Sequence, residues 1–222
     1  MVLTHFFDAH LHSPHREAGA FLVGLEGNPV FDGTLNNAEV LALHAPQKNY
    51  WAFEYVVAGD LHKKGHHPLL KYHPRRETYS PEQVIESIRL RAPVCVMLDT
   101  LNEPAWQAYE YWKIARAFPD VPFIFAHAGG YLIQEFIKIC HFQPNVWIDF
   151  ALTHTNFGGI SSNPLAYVDD AIRYALHAPF RDRVLMGSDA PFFSQADVVA
   201  YYAKLGAVEM LNTNFERLLH VF

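Results

Sequence analysis

The sequence predicts an α/β fold: a compact (β/α)8 TIM barrel built from a single domain that spans residues 1–222. Eight short apolar segments, bounded by proline, glycine or polar residues, predict eight buried strands. Most of them alternate with segments of helical periodicity, which is typical of parallel βα units. Eight such units close a barrel, and the length of 222 residues lies near the lower limit of about 200 for this fold.

The predicted strands are near-continuous apolar runs, as expected for strands that are covered on both faces. The chain has no internal repeat, low-complexity tract or linker that would divide it. The predicted strands span residues 2–7, 20–24, 51–57, 69–74, 93–99, 122–127, 145–150 and 183–189.

Helices are predicted between most of these strands. The clearest begins at Ser80, a favoured N-cap residue, with Pro81 at the first helical position. Further helices are predicted over residues 36–45, 104–118, 165–177, 195–204 and 214–219, and over a segment that follows Gly130 and ends near residue 141.

Composition limits the classes of function. Half of the residues are hydrophobic and 18% are charged, which excludes a disordered chain. The formal net charge of −6 disfavours nucleic acid or an anionic membrane as the main partner, so a small-molecule substrate is expected. Two cysteines form no disulfide framework, and neither a signal peptide nor an apolar stretch of 18 residues is found. A cytoplasmic protein is therefore expected, and homodimerisation is left open.

Several predicted strands end in ionisable residues, and the chemistry of a TIM barrel lies at those ends. Because side chains alternate along a strand, Asp8, His10 and His12 are expected on one face. A His-x-His pair alone is more often structural than functional, so the pair gains weight only from the strand ends that follow it. These carry Lys71 and His73 on strand four, Asp99 on strand five, His127 on strand six and Asp189 on strand eight, while His154 follows strand seven in a loop.

Imidazole and carboxylate groups together predict a divalent metal site. Zn²⁺ suits such ligands most readily, and Mn²⁺, Fe²⁺ or Co²⁺ almost as well. Three protein ligands leave a position for water, and the metal lowers the pKa of that water to about 7. A carboxylate beside the water can accept its proton and deliver it to a leaving group, and Asp189 is the candidate for this role.

The ordered motifs resemble the amidohydrolase superfamily, and most closely its "amidohydrolase 2" branch, which includes aminocarboxymuconate semialdehyde decarboxylase and pyrone dicarboxylate lactonase. The resemblance implies that His10 and His12 are metal ligands and that Asp189 is a ligand and proton shuttle. It also implies that His127 is either a further ligand or the group that polarises the substrate. The matching segments are residues 8–12, 71–74, 125–130, 187–191 and 212–219.

The chain departs from this branch at strand five, where the branch usually has a histidine. Here the strand ends in Met97, Leu98 and Asp99, which leaves Asp99 as the nearby substitute for the missing metal ligand. Thioether sulfur is a poor ligand for such an ion.

Three roles remain open for Lys71. Some superfamily members carboxylate a strand-four lysine to bridge two metals; the alternatives are an anchor for a substrate carboxylate and a salt bridge at the rim. Of the two functional roles the anchor is favoured, so Lys71 and its strand neighbour His73 are the substrate-binding candidates. Weaker candidates for substrate contact in the loops are Arg16, Tyr72, Arg75, Arg76, Phe192 and Phe193.

The leading functional hypothesis is a metal-dependent hydrolase of a small amide, lactone or cyclic ester. A decarboxylase of the same branch would instead release CO₂. A TatD-like phosphoesterase or deoxyribonuclease shares the His-x-His motif but usually has an acidic residue on strand four. A barrel that has lost its metal and catalysis would stay empty after expression in zinc-supplemented medium.

Overall fold

A computed structural model of the chain describes residues 6–13, 19–26, 33–64, 67–101 and 106–221. Eight parallel strands form one sheet in sequential order. Apart from the first and last, their ends agree within two residues with the prediction. The strands are β1 Phe7–Leu11, β2 Gly19–Val23, β3 Tyr50–Tyr55, β4 Leu69–Tyr72, β5 Cys95–Asp99, β6 Phe123–Ala126, β7 Val146–Asp149 and β8 Val184–Leu185.

Backbone hydrogen bonds between β1 and the segment that follows β8 close the sheet into a barrel. The N–H of Ala9 donates to the carbonyl of Met186 at 2.8 Å, and the N–H of Asp189 donates to the carbonyl of His10 at 2.8 Å. The predicted single-domain TIM barrel is therefore confirmed.

The helices pack outside the strands, and capping residues fix where several of them begin. Asn36 with Glu39, and Ser80 with Gln83, form reciprocal capping boxes at the first two helices. The described part of the chain has no helix with the length and apolar character needed to cross a membrane. The α-helices are α1 Asn37–Ala42, α2 Pro81–Arg91, α3 Ala108–Ala117, α4 Ile133–Phe142, α5 Thr153–Asn156, α6 Ala166–His177, α7 Gln195–Lys204 and α8 Val208–Leu219.

The apolar core has an inner layer within the barrel and an outer layer between strands and helices. Met97, Ile124 and Trp147 belong to the inner layer, and their strand neighbours pack outward against the helices. At the N-terminal end of the barrel, Phe215 of α8 stacks on Phe7 with ring centroids 4.7 Å apart. The inner layer is thus filled below the polar strand ends.

A β-bulge in β1 corrects the predicted orientation of Asp8. Asp8 lies opposite Ala20 and Leu11 lies opposite Leu22, so three residues of β1 span two residues of β2. The extra residue reverses the alternation of side chains. Asp8 therefore faces outward, away from the two histidines, and the prediction that all three share a face is wrong.

The ends of the chain differ most from the prediction. Residues 2–5 of the predicted first strand and residues 104–105 of a predicted helix lie outside the described residues. The predicted strand 183–189 is regular only over Val184–Leu185, because the backbone then becomes irregular and reaches Asp189 with a φ of +63°.

The last helix is twice as long as predicted. It begins at Val208 rather than Asn214, because Gly206, with a φ of +68°, separates it from α7. Its buried residues recur at helical spacing from Val208 through Leu211 to Phe215.

Candidate metal centre

The C-terminal ends of the strands surround an open pocket of about 630 Å³. His10 and Lys71 lie beneath it and are fully buried. The barrel thus brings the predicted site residues of five strand ends together, as its topology requires. The pocket is lined by His12, Leu25, His73, Arg75, Arg76, Asp99, His127, Leu152, Asp189, Phe192 and Phe193.

His10, His12 and Asp189 form one of two sets of candidate metal ligands among the described residues. The Nε2 atom of His12 lies 3.2 Å from Oδ1 of Asp189, and the Nε2 atom of His10 lies 3.5 Å from the same oxygen. Across a tetrahedral Zn²⁺, nitrogen and oxygen ligands at ordinary bond lengths are about 3.3 Å apart. The two distances to Asp189 therefore fit one such ion, and the three ligand atoms all lie within 4.8 Å of one another.

The hydrogen bonds of His12 give a second reason for a cation between these groups. Its Nδ1 lies 2.8 Å from the carbonyl of Val23, so Nδ1 carries the proton and donates it. In the neutral ring, Nε2 then presents a lone pair to the carboxylate of Asp189. Two acceptors at 3.2 Å repel each other unless a cation or a proton lies between them. Burial lowers the pKa of His12, which disfavours the proton.

Asp149, at the end of β7, belongs to this site and was missed from the sequence. Its Oδ2 has no hydrogen-bond partner and lies 3.7 Å from Nδ1 of His10, while Oδ1 accepts from the backbone N–H of Ala151 at 2.8 Å. The signal was available, because Asp149 is a carboxylate that ends a buried strand. It lies near Nδ1 of His10, whereas Asp189 lies near Nε2, but at 3.7 Å it forms no hydrogen bond with the ring.

A second set of possible ligands consists of His10, His127 and Asp149. His127 fits it poorly, because Nδ1 lies 3.0 Å from the carbonyl of Ala151 and Nε2 lies 3.1 Å from Oδ2 of Asp99. Both of its nitrogens are thus engaged, and its ring packs on that of His10 at 4.7 Å. The first set is therefore the better candidate for a metal site.

On the other side of the pocket, the carboxylate of Asp99 contacts two imidazole rings and a guanidinium group. Its Oδ2 lies 3.0 Å from Nε2 of His73, 3.1 Å from Nε2 of His127 and 3.7 Å from Nη2 of Arg75. Burial would raise the pKa of Asp99, but these rings hold it well below its usual range. Burial lowers the pKa of His127, but the charge and hydrogen bond of Asp99, together with the charges of Asp189 and Asp149, outweigh burial and leave the pKa raised. Asp99 belongs to neither compact ligand set of the described residues, so its predicted role as a ligand stays a prediction.

Lys71 does not reach the pocket. Its Nζ lies 2.7 Å from Nε2 of His10, and the side chain is fully buried. Burial lowers its pKa to about 8. Its predicted role in anchoring a substrate would require it to reach past His10, and that role stays a prediction.

Unusual backbone conformations place the side chains of the pocket. His127, Leu152 and Asp189 have φ angles of +69°, +62° and +63°, a region that non-glycine residues rarely adopt. Gly187 has no room for a side chain, since a Cβ there would lie 2.9 Å from Cβ of His10. Such strain is typical of functional sites.

Two other sequence candidates lie away from the pocket lining. Tyr72 packs in the outer layer, and its hydroxyl bonds to Ser87 at 2.9 Å, so the prediction that it contacts substrate is wrong. His154 lies in α5 rather than in a loop, and its Nε2 holds the carbonyl of Gly187 at 3.1 Å. Arg16 lies outside the described residues.

Comparison with known proteins identifies the family of the chain. Residues 28–213 match the family described as amidohydrolase. The chain belongs to this family, and it is an enzyme of the metal-dependent hydrolase type. No curated protein matched the sequence.

Solved structures of similar fold cover nearly the whole chain. An uncharacterised TIM-barrel protein from Bordetella bronchiseptica is 13% identical, with a TM-score of 0.63 over 98% of this chain and 99% of its own. A probable 2-pyrone-4,6-dicarboxylic acid hydrolase from Acinetobacter baumannii, with citric acid bound, is 14% identical, with a TM-score of 0.61 over 97% and 98%. A protein from Pseudomonas putida, provisionally assigned the same activity, is 14% identical, with a TM-score of 0.58 over 100% and 99%. At these identities the likeness shows the fold alone.

Proposed function

We propose that the protein is a metal-dependent hydrolase of a small anionic lactone or cyclic ester. The observation that carries this proposal is the set of His10, His12 and Asp189, whose ligand atoms have the spacing of one tetrahedral ion at the floor of an open pocket. Small amides were an equal expectation from the sequence, and they belong in the same assay.

The ligand set favours zinc over the other candidate metals. Two imidazoles and one carboxylate suit Zn²⁺, and Mn²⁺, Fe²⁺ and Co²⁺ accept the same groups. When bound, such an ion lowers the pKa of a water ligand to about 7 and polarises a carbonyl oxygen.

The protein's own residues would then move and hold the protons. Asp189 lies on the pocket lining and accepts the proton of the attacking water. As the ring carbon–oxygen bond of a lactone breaks, the same carboxyl returns the proton to the departing oxygen. His127 lines the same pocket, and its Nε2–H would have to leave Asp99 to donate to the substrate carbonyl.

The pocket lining supports an anionic substrate. Arg75 and Arg76 lie at the pocket beside His73, whereas Asp99 and Asp189 occupy its floor. Guanidinium groups bind carboxylates in a bidentate manner. Two of the structurally similar proteins carry the name of a hydrolase of 2-pyrone-4,6-dicarboxylic acid, a cyclic ester with two carboxylates. This supports, for the present chain, a carboxylated lactone over a neutral one.

A matched substrate panel tests the proposal. Lactones with and without carboxylate groups, and the corresponding amides, are incubated with zinc-loaded protein. Ring opening is measured from the acid that it releases. We expect the zinc-loaded protein to hydrolyse carboxylated lactones. In Arg75→Ala, kcat/KM for these lactones should fall at least tenfold because KM rises. The exposed variant Arg116→Ala, on α3, is the control. Release of CO₂ without ring opening would replace this proposal with a decarboxylase.

A further inference from the structure

The interior of the barrel contains one lysine whose nearest polar partner is a candidate metal ligand. Lys71 is fully buried on β4, and its Nζ lies 2.7 Å from Nε2 of His10. Among the described residues, no carboxylate oxygen lies within 4.0 Å of this amine. The amine is therefore directed at the imidazole rather than at an acid.

The contacted nitrogen is the one that faces the other two candidate metal ligands, His12 and Asp189. The Nε2 atom of His10 lies 3.5 Å from Oδ1 of Asp189, and these two atoms would bind the same metal ion. A neutral imidazole nitrogen has a single lone pair. That lone pair can accept a hydrogen bond from Lys71 or bind a metal, but not both at once.

The surrounding charges explain why an amine is tolerated there. Asp99 ends β5, Asp149 ends β7 and Asp189 follows β8, and all three are buried around Lys71. Buried carboxylates require compensating positive charge. In the metal-free protein, Lys71 supplies a cation close to the position that a metal would take.

We propose that Lys71 competes with the metal for His10 and so sets the affinity of the site for divalent ions. The inference rests on the proposed metal-dependent function. Metal binds at His10, His12 and Asp189 only when the amine turns away from His10. Removing the amine frees the lone pair of His10 and leaves the neighbouring carboxylates with less opposing charge, so both effects strengthen metal binding.

Calorimetric titration of ZnCl₂ into metal-stripped protein tests this role without any substrate. Wild type is compared with Lys71→Met, which keeps the length of the side chain without its amine. Lys204→Met, at an exposed site on α7, is the matched control, and His12→Ala is the variant expected not to bind. Circular dichroism and thermal melting show whether each variant folds.

We expect Lys71→Met to bind Zn²⁺ at least tenfold more tightly than wild type, with the control unchanged. Equal affinity would overturn the competitor role while leaving the metal site intact. Weaker binding would also overturn it, and would mean that the lysine helps to hold the metal. Absence of zinc binding in both wild type and Lys71→Met would overturn the proposed function and this inference together.

A second variant covers the case in which methionine prevents folding. Lys71→Gln keeps a hydrogen-bond donor but removes the positive charge. We expect its affinity for Zn²⁺ to exceed that of wild type at least threefold. If Lys71→Gln binds Zn²⁺ no more tightly than wild type, the role of Lys71 as a competitor for His10 is overturned.

Discussion

At the scale of single residues, the charge of Asp99 organises one side of the pocket. One carboxylate oxygen receives His73, His127 and the more distant Arg75, at 3.0, 3.1 and 3.7 Å. Strand five therefore ends in a group that orients donors, at the position where the family branch usually has a histidine. Its charge holds the ring of His127 toward the pocket.

Asp99→Asn should weaken catalysis more than folding. The amide keeps the shape but loses the charge that raises the pKa of His127. We expect kcat/KM to fall at least tenfold and the free energy of unfolding to fall by about 2 kcal/mol, from urea denaturation. Asp182→Asn, on an exposed residue paired with Arg217, is the control. Unchanged kcat/KM would show that the charge of Asp99 is not needed.

At the scale of elements, Asp8 joins β1 to the segment after β8. These two parts of the chain carry the candidate metal ligands His10, His12 and Asp189. Its carboxylate accepts from the backbone N–H groups of His10 and Ser188 at 3.1 and 2.9 Å. It also accepts from the Ser188 hydroxyl and from Nε2 of Gln195 at the start of α7. The β1 bulge that turns Asp8 outward thus also fixes the relative position of His10 and Asp189.

Asp8→Ala should loosen this junction. Several buried donors lose their acceptor, so we expect the free energy of unfolding to fall by about 2–4 kcal/mol. Zinc affinity should fall as well, because the ligand segments lose their common support. Asp120→Ala removes an exposed carboxylate and should change neither quantity. Wild-type zinc affinity in Asp8→Ala would contradict a positioning role.

His67, in the loop before β4, should make the free energy of unfolding depend on pH. His67 is partly buried, and its Nδ1 contacts the backbone of Leu69. Burial lowers the pKa of His67, so the unfolded chain takes up the proton first as the pH falls. This group therefore contributes a loss of stability as the pH drops below about 6.5 toward its lower folded pKa.

His67→Gln should flatten that dependence. Between about pH 7.5 and pH 5, we expect the wild type to lose more unfolding free energy than the variant, by less than about 1.4 kcal/mol per pH unit. Denaturation by urea across this range measures the difference in slope. Equal slopes would mean that His67 titrates alike in both states.

At the scale of the whole molecule, α8 closes the barrel at the end opposite the pocket. Phe215 stacks on Phe7 and packs on Phe21 at 4.3 Å between centroids. The metal set therefore lies above a filled apolar interior.

Phe215→Ala should destabilise the whole barrel. A buried phenylalanine replaced by alanine costs about 3–5 kcal/mol. We expect a lower Tm, while the zinc affinity of the folded protein stays within twofold of wild type. The exposed Phe142→Ala is the control. A loss below about 1 kcal/mol would show that α8 does not close the interior.

The order of elements was readable from the sequence because buried parallel strands are continuous apolar runs. His10, His12, His127 and Asp189 were found because polar groups end those runs. The orientation of Asp8 was missed because a bulge depends on pairing with β2, which no local pattern reveals. The partners of Lys71 and Asp99 depend on side-chain geometry across the barrel, which strand positions alone do not fix.

The central claim is that His10, His12 and Asp189 hold one divalent metal. Elemental analysis of purified wild type and His12→Ala tests it most directly. We expect about one equivalent of metal in the wild type, with zinc favoured, and a loss of that metal in the variant. Metal-free wild type that hydrolyses a substrate at its full rate would contradict the account.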